Sequence, residues 1–334
     1  MADLLSELGT GPELYPFAFD PGRDAIFFIR LGAQDYRRAS FLDERRLTPE
    51  TRGQWIPFAD VARAMAAPSS SRPLHFIFHS GHVGSTLLSR MLDETGKVLS
   101  LREPLPLRTL AEVHDAGRPG LDERLETLLM LWERGFGDTD TVVLKATSTA
   151  ERLGAKLLAL RGQSKAVTLN IAAESYLATM LAAENSAVDL NAHGPERFHR
   201  LGMLLNAPPS RPSNLGELAA MSWLAERLTQ DDLLHSFGER VLPVDFDALL
   251  QDAGTALAKV LAHLQIPMTP EEAVAIASSP VLARYSKAPE HEYSARLRAD
   301  RLAEARRLYG AEIRLALAWL GRLGQQHRRV AAIL

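Results

Sequence analysis

The segment His75-Phe76-Ile77-Phe78-His79-Ser80-Gly81-His82-Val83-Gly84-Ser85-Thr86-Leu87-Leu88-Ser89-Arg90 constrains the fold of this chain more tightly than any other stretch of it. A short apolar run breaks into a turn carrying Gly81 and Gly84, and Ser85-Thr86 then opens a Leu- and Met-rich stretch with helical character. Strand, loop and helix start in that order bring glycine N–H groups and the positive end of a helix dipole to one point, which favours a bound phosphate. A plain turn has the same appearance, so a phosphate loop and a structural loop are the two readings.

Spacing separates this loop from an ordinary ATP or GTP site. The Walker pattern needs Gly, four residues, Gly-Lys and then Ser or Thr; here Gly84 is followed by Ser85-Thr86, and the position five before it is His79. The first glycine and the phosphate-binding lysine are both absent. What remains, Gly81-His82-Val83-Gly84-Ser85-Thr86-Leu87-Leu88, resembles the 5′-phosphosulfate loop of sulfotransferases, G-[RK]-[ST]-G-[ST]-T-x-L, with His82 where that family has Arg or Lys. Val142-Val143-Leu144-Lys145-Ala146-Thr147, Tyr176-Leu177-Ala178-Thr179-Met180-Leu181 and Val241-Leu242-Pro243-Val244-Asp245-Phe246-Asp247-Ala248-Leu249 resemble later units of the same family. The resemblance runs in order over residues 74–320.

Short β-branched runs at 74–79, 97–101, 141–145, 165–170 and 240–245 alternate with helical patterns, after one N-terminal strand at 25–31. That alternation implies an α/β fold with a mostly parallel central sheet of about five strands covered by helices on both faces. With the resemblance, it becomes a P-loop NTPase-like three-layer fold. The Pro- and Ser-rich stretch Ala64-Met65-Ala66-Ala67-Pro68-Ser69-Ser70-Ser71-Arg72-Pro73 divides the chain into an N-terminal extension, 1–72, packed on a larger unit, 73–334. Residues 206–214 break a helix and form either a plain connector or part of a lid.

Composition narrows the class. With 334 residues, 46% of them hydrophobic, the chain can bury a large core, and a net charge of −3 with pI near 6.4 gives no reason to expect nucleic acid or an anionic membrane as partner. The absence of cysteine excludes disulfides, thiolate zinc sites and thiol catalysis, and suits a reducing compartment. Met1-Ala2-Asp3-Leu4-Leu5-Ser6-Glu7 lacks a basic n-region, and no apolar run approaches the roughly 18 residues of a membrane span, so a cytoplasmic location is expected.

Residues at strand ends are the candidates for chemistry, because ligands of such sheets bind beyond the carboxyl ends of the strands. The resemblance implies a sulfuryl donor, 3′-phosphoadenosine 5′-phosphosulfate, and no metal. Gly81, His82, Val83, Gly84, Ser85 and Thr86 would hold its phosphosulfate. Glu103 resembles the glutamate base of tyrosylprotein and heparan-type sulfotransferases; its bland alternative is an ordinary glutamate paired with Arg102. His82 would donate to the sulfuryl or bridging oxygen, making activity pH-sensitive where an arginine would not. Lys145 would contact donor oxygens, or be a solvated strand-end lysine.

Ser286 and Lys287 resemble the C-terminal Ser-Lys of tyrosylprotein sulfotransferases near the nucleotide, and Thr179 is the nearest hydroxyl match in the 3′-phosphate site. Asn170-Ile171 stands where the family has the 3′-phosphate arginine; Arg197 or Arg200 would have to compensate. His75, His79 and His82 do not form a recognisable metal pattern, since neighbouring strand residues alternate faces and no second ligand pair follows. Asp245 and Asp247 read as helix caps, and Trp223 and Trp319 as core. The expected activity is sulfuryl transfer to a hydroxyl or amine of a small molecule or peptide. A P-loop phosphotransferase or nucleotide hydrolase is one alternative, and an inactive nucleotide-binding scaffold the other.

Overall fold

The computed structural model describes residues 2–66, 71–283 and 294–334. An N-terminal antiparallel sheet of three strands, β1 (Leu14–Asp20), β2 (Ala25–Arg30) and β3 (Gly53–Pro57), precedes a parallel sheet of five. The second sheet comprises β4 (Leu74–His79), β5 (Val98–Arg102), β6 (Thr141–Lys145), β7 (Ala166–Asn170) and β8 (Val241–Asp245), in the order β5-β6-β4-β7-β8. Every pairing in it is parallel.

Every residue of β4, β5, β6 and β7 is buried, as expected of parallel strands covered on both faces. Alternation sorts their side chains. Ile77 of β4 enters one core with the helices Ser85–Asp93, Ala173–Ala182, Leu215–Phe237 and Ala295–Gln326, and Trp223 and Trp319 lie there too. Phe76 and Phe78 enter the other, with the helices Leu105–Asp115 and Leu121–Trp132 and the inner face of the N-terminal sheet.

The chain leaves β4 for β5 on one side, returns to β6, then crosses to β7 on the other, so the crevice of this sheet opens at the carboxyl end of β4. The loop at 81–86 stands at that point. β8 is an edge strand and tolerates Pro243, whose missing N–H costs nothing there.

The sequence reading placed one strand in the N-terminal segment, and the structure has three. Pro16 and Pro57 obscured the other two. Pro16 sits in β1 where the register shifts by a residue, and Pro57 ends β3; both strands are edges, where proline is admitted.

Two buried arginines fasten the N-terminal segment to the larger sheet. Arg102, at the end of β5, donates to the carbonyls of Tyr36 (3.1 Å) and Ala39 (2.9 Å) and pairs with Asp93. Arg134 donates to the carbonyls of Leu8, Leu14 (2.9 Å) and Leu131 (2.7 Å). Between them, Leu42 N donates to the Arg102 carbonyl at 2.7 Å, so the outer edge of β5 is covered and residues 41–45 are held beside its tip. We expect Arg102→Leu to lower stability by about 3–5 kcal/mol, because it leaves the Asp93 carboxylate with only Ser100 and no counter-charge, and the Tyr36 and Ala39 carbonyls without this donor. Urea unfolding of the variant against the wild type measures this.

Candidate functional site

The loop after β4 is built from left-handed backbone. Gly81 (φ 89°), His82 (φ 56°) and Gly84 (φ 74°) all adopt it, and at His82 a Cβ makes it costly. Gly81 N donates to His79 Nδ1 at 3.1 Å, and Gly84 is the residue before the helix Ser85–Asp93. Val83, Ser85 and Thr86 are buried, and Thr86 Oγ1 has no hydrogen-bond partner among the described residues.

Packing also requires a glycine at 84. A Cβ there would lie 2.0 Å from the ring of Phe246, so the space above its α-carbon is filled by protein and not left for a phosphate. Phe246 opens the helix Phe246–Gln251, which Asp245 caps by accepting from Ala248 N. The Arg298 guanidinium lies 5.0 Å from the centroid of the Phe246 ring and pairs with Asp247 at 2.7 Å. Its Nη2 is buried without a hydrogen-bond partner among the described residues.

Across the crevice stands an ion pair. β5 continues one residue past its end, Glu103 N donating to the Lys145 carbonyl at 2.7 Å, and Glu103 itself has φ 57°. Arg102 ends the strand and Glu103 follows in left-handed backbone, and their side chains meet different partners. Arg102 takes Asp93, and the Glu103 carboxylate meets Lys145 Nζ. Neither bland reading from the sequence survives: Glu103 is not paired with Arg102, and Lys145 is 0% exposed. His79 Nε2 lies 3.9 Å from Glu103 Oε1, and the Arg45 guanidinium 3.8 Å from Oε2.

Gly81 and His82 of the loop and Glu103 of the ion pair line one cavity of about 390 Å³, whereas Val83, Gly84, Ser85, Thr86 and the buried Lys145 do not line it. Thr147, Ser148 and Thr149, from the segment after β6, line it as well. Phe41, Asp43 and Arg45 come from the N-terminal segment, and Asp189, His193 and Arg197 from the helix Ser186–Leu205. None of the N-terminal three, nor Asp189 and His193, belongs to a motif; Tyr176 lies in a segment that carries the resemblance, and Arg197 is the one residue of its helix here that the sequence offers as a candidate.

The remaining candidates are placed as follows. Thr179 donates its hydroxyl to the Ser175 carbonyl (2.8 Å) and does not line the cavity. Asn170 donates to Gln230 Oε1 (2.9 Å) and accepts from Ile171 N (2.6 Å) and Trp223 Nε1 (3.0 Å), so its amide is used internally. Arg200 is spent on Glu226, Glu196 and Thr229, whereas Arg197 bonds Glu226 (3.1 Å) and Ser148 Oγ (3.4 Å) at the cavity wall. Burial alone would push the Glu226 carboxyl up; Arg200 and Arg197 outweigh it and hold it low. His75 lies at the far end of β4, its pKa lowered to about 4 by burial and by Lys165. Ser286 and Lys287 lie outside the described residues. Among the described residues no group of three His, Asp or Glu is placed to hold a metal, and no helix is long and apolar enough to cross a membrane.

No protein-family model matches the chain, and no curated protein matches it. Among solved structures it is similar to the sulfotransferase domain from the curacin biosynthetic pathway, at 16% identity over 68% of this chain and 85% of that one, TM-score 0.42. It is also similar to sulfotransferase STF9 from Mycobacterium avium, at 12% identity over 84% and 92% of the two chains, TM-score 0.41. Mouse sulfotransferase SULT7A1 complexed with PAP is similar at 13% identity over 65% and 68%, TM-score 0.33. The roles of residues here rest on the geometry above.

Gly84→Ala should destabilise the fold both through its left-handed backbone, by about 1–2 kcal/mol, and through collision with Phe246. Adding Phe246→Ala removes the collision alone. A double-mutant cycle by urea unfolding should therefore give a favourable coupling of roughly 0.5–3 kcal/mol between the two substitutions.

Proposed function

We propose that this protein is a sulfotransferase that moves a sulfuryl group from 3′-phosphoadenosine 5′-phosphosulfate to a hydroxyl or amine. The observation that carries the reading is Glu103, turned at the tip of β5 into the same cavity as Gly81 and His82 of the loop and held there by Lys145. A nucleotide kinase of this architecture would need a loop lysine and a metal-binding carboxylate instead.

The donor's phosphosulfate lies on the loop, with backbone N–H groups and the Ser85–Asp93 helix start toward its oxygens. The acceptor oxygen or nitrogen forms a bond to sulfur as the bond from sulfur to the bridging phosphate oxygen breaks. The electron pair leaves with the adenosine bisphosphate, and the acceptor's proton passes to Glu103. Lys145 orients the Glu103 carboxylate from behind, and His82, which lines the cavity, supplies positive charge or an N–H donor where the leaving phosphate gains charge. Asn170 is not available for the 3′-phosphate; Arg298, stacked on the ring that covers Gly84, brings a guanidinium to the loop's other side.

Adenosine 3′,5′-bisphosphate should bind without magnesium at micromolar strength, about −8 kcal/mol, by calorimetric titration. Magnesium-dependent ATP binding with no response to the bisphosphate would move the assignment to phosphoryl transfer, and binding of neither would leave a scaffold. Arg298→Ala should weaken the bisphosphate by about 1.5–3 kcal/mol, the range for a hydrogen bond to a charged group.

Glu103→Gln should preserve bisphosphate affinity and lower turnover by about 10²–10⁴. Lys145→Ala should instead weaken both. Glu103→Gln turnover within a few-fold of wild type would exclude Glu103 as the base and leave His82 as the next group to test.

A further inference from the structure

We infer that the acceptor is a neutral, hydroxyl-rich molecule, a polyol or a sugar of one or two rings, bound in the cavity between Glu103 and Arg197. The inference rests on the sulfotransferase reading and adds the acceptor's chemistry to it.

The cavity presents little apolar wall. Its one phenylalanine, Phe41, is covered: Arg45 Cζ lies 3.3 Å from the ring centroid, with Lys145 Nζ 5.8 Å away. Tyr176 and Met180 are each 2% exposed. A phenol or sterol gains affinity by burying its rings against apolar surface, and here it would meet a guanidinium face instead.

The charges that line the cavity are paired with one another. Arg45 holds Asp43, and Arg108 meets both Glu44 oxygens at 3.0 Å. Lys145 holds Glu103, and Asp189 stands 3.7 Å from His193 and 3.6 Å from Arg197. An ionic acceptor would have to take one member of a pair and strand the other, which is costly wherever the pair is sheltered.

Hydroxyl groups meet neither obstacle. Each both donates and accepts, so a polyol can donate to carboxylate oxygens and accept from guanidinium N–H groups without parting any pair. Arg197 Nη1 is buried at this wall with no hydrogen-bond partner among the described residues, and the hydroxyls of Thr147, Ser148 and Thr149 continue the polar lining. A cavity of about 390 Å³ sets the size.

The test supplies the whole protein with radiolabelled donor and, in parallel, glucose and myo-inositol, glucuronate, and phenol. We expect label in the neutral polyols. Faster labelling of phenol or glucuronate, or bisphosphate binding with no labelled polyol, overturns the acceptor class alone; failure to bind the bisphosphate overturns the sulfotransferase reading beneath it. Asp189→Ala should raise the polyol KM by about tenfold or more while kcat and bisphosphate affinity hold, with Asp189→Asn recovering part of the loss. An unchanged KM for folded Asp189→Ala overturns the proposed contact. Arg45→Ala uncovers the Phe41 ring and should raise the ratio of phenol to polyol turnover; an unchanged ratio removes the covered ring as the basis of selection.

Discussion

The parallel pairing of β4 with β6 on one side and β7 on the other is the constraint from which the rest of this structure follows. A strand paired on both edges and buried on both faces cannot face water, so the chain must supply helices above and below it. Residues immediately past the ends of β4, β5 and β6 then converge. His79, Glu103 and Lys145 are far apart in sequence, yet the parallel register brings Arg102 opposite Lys145 and Ile77 opposite Lys145 on its other edge. The loop after β4 rises from the middle of that row. Gly81 and His82 from one strand end and the Glu103 carboxylate from another thus line the same cavity, with Lys145 buried behind Glu103.

The Glu103–Lys145 pair is better understood as positioning than as stabilisation. Lys145 is fully buried and the Glu103 side chain is 12% exposed, so both give up hydration to meet. Pairs of this kind return little net stability, but removing one partner strands the other. The left-handed backbone at Glu103 belongs to the same economy of position: the turn aims the carboxylate into the cavity at a conformational cost that the surrounding hydrogen bonds must offset. Beneath Arg197 the same logic recurs. Glu226 takes both Arg197 and Arg200, and burial together with the Glu226 charge pushes the neighbouring Glu151 carboxyl well up.

The N-terminal segment takes part in the site as well as in the fold. Arg102 and Arg134 tie it to the larger sheet through carbonyls, and the backbone bond from Leu42 to Arg102 delivers Phe41, Asp43 and Arg45 to the Glu103 side of the cavity. Arg45 then acts on two neighbours at once, stacking on Phe41 and pairing with Asp43. That arrangement turns what would be an aromatic wall into a charged one.

Local pattern was enough to place the five parallel strands within a residue at their ends, the loop between β4 and its helix, the Asp245 cap, and Glu103 and Lys145 as strand-end residues. These are properties of short stretches: β-branched runs, glycine at a turn, aspartate before a helix. Partnership was decided only by tertiary structure. Nothing near Glu103 says that it meets Lys145 while Arg102 meets Asp93, because that depends on the left-handed turn at Glu103 and on which strand lies alongside. Nothing near Gly84 announces Phe246, and nothing near Asn170 announces Gln230 and Trp223. The edge strands β1 and β3 were obscured by prolines that only their edge positions make acceptable, and the cavity's Phe41, Arg45 and Asp189 carry no motif because their meaning is where they stand. Sequence by itself determined which segments form strands, helices and the glycine turn after β4, since those follow from side-chain pattern and backbone freedom within a few residues; the pairing of charges and the polarity of the cavity were decided by packing, which brings together residues that share no local signal.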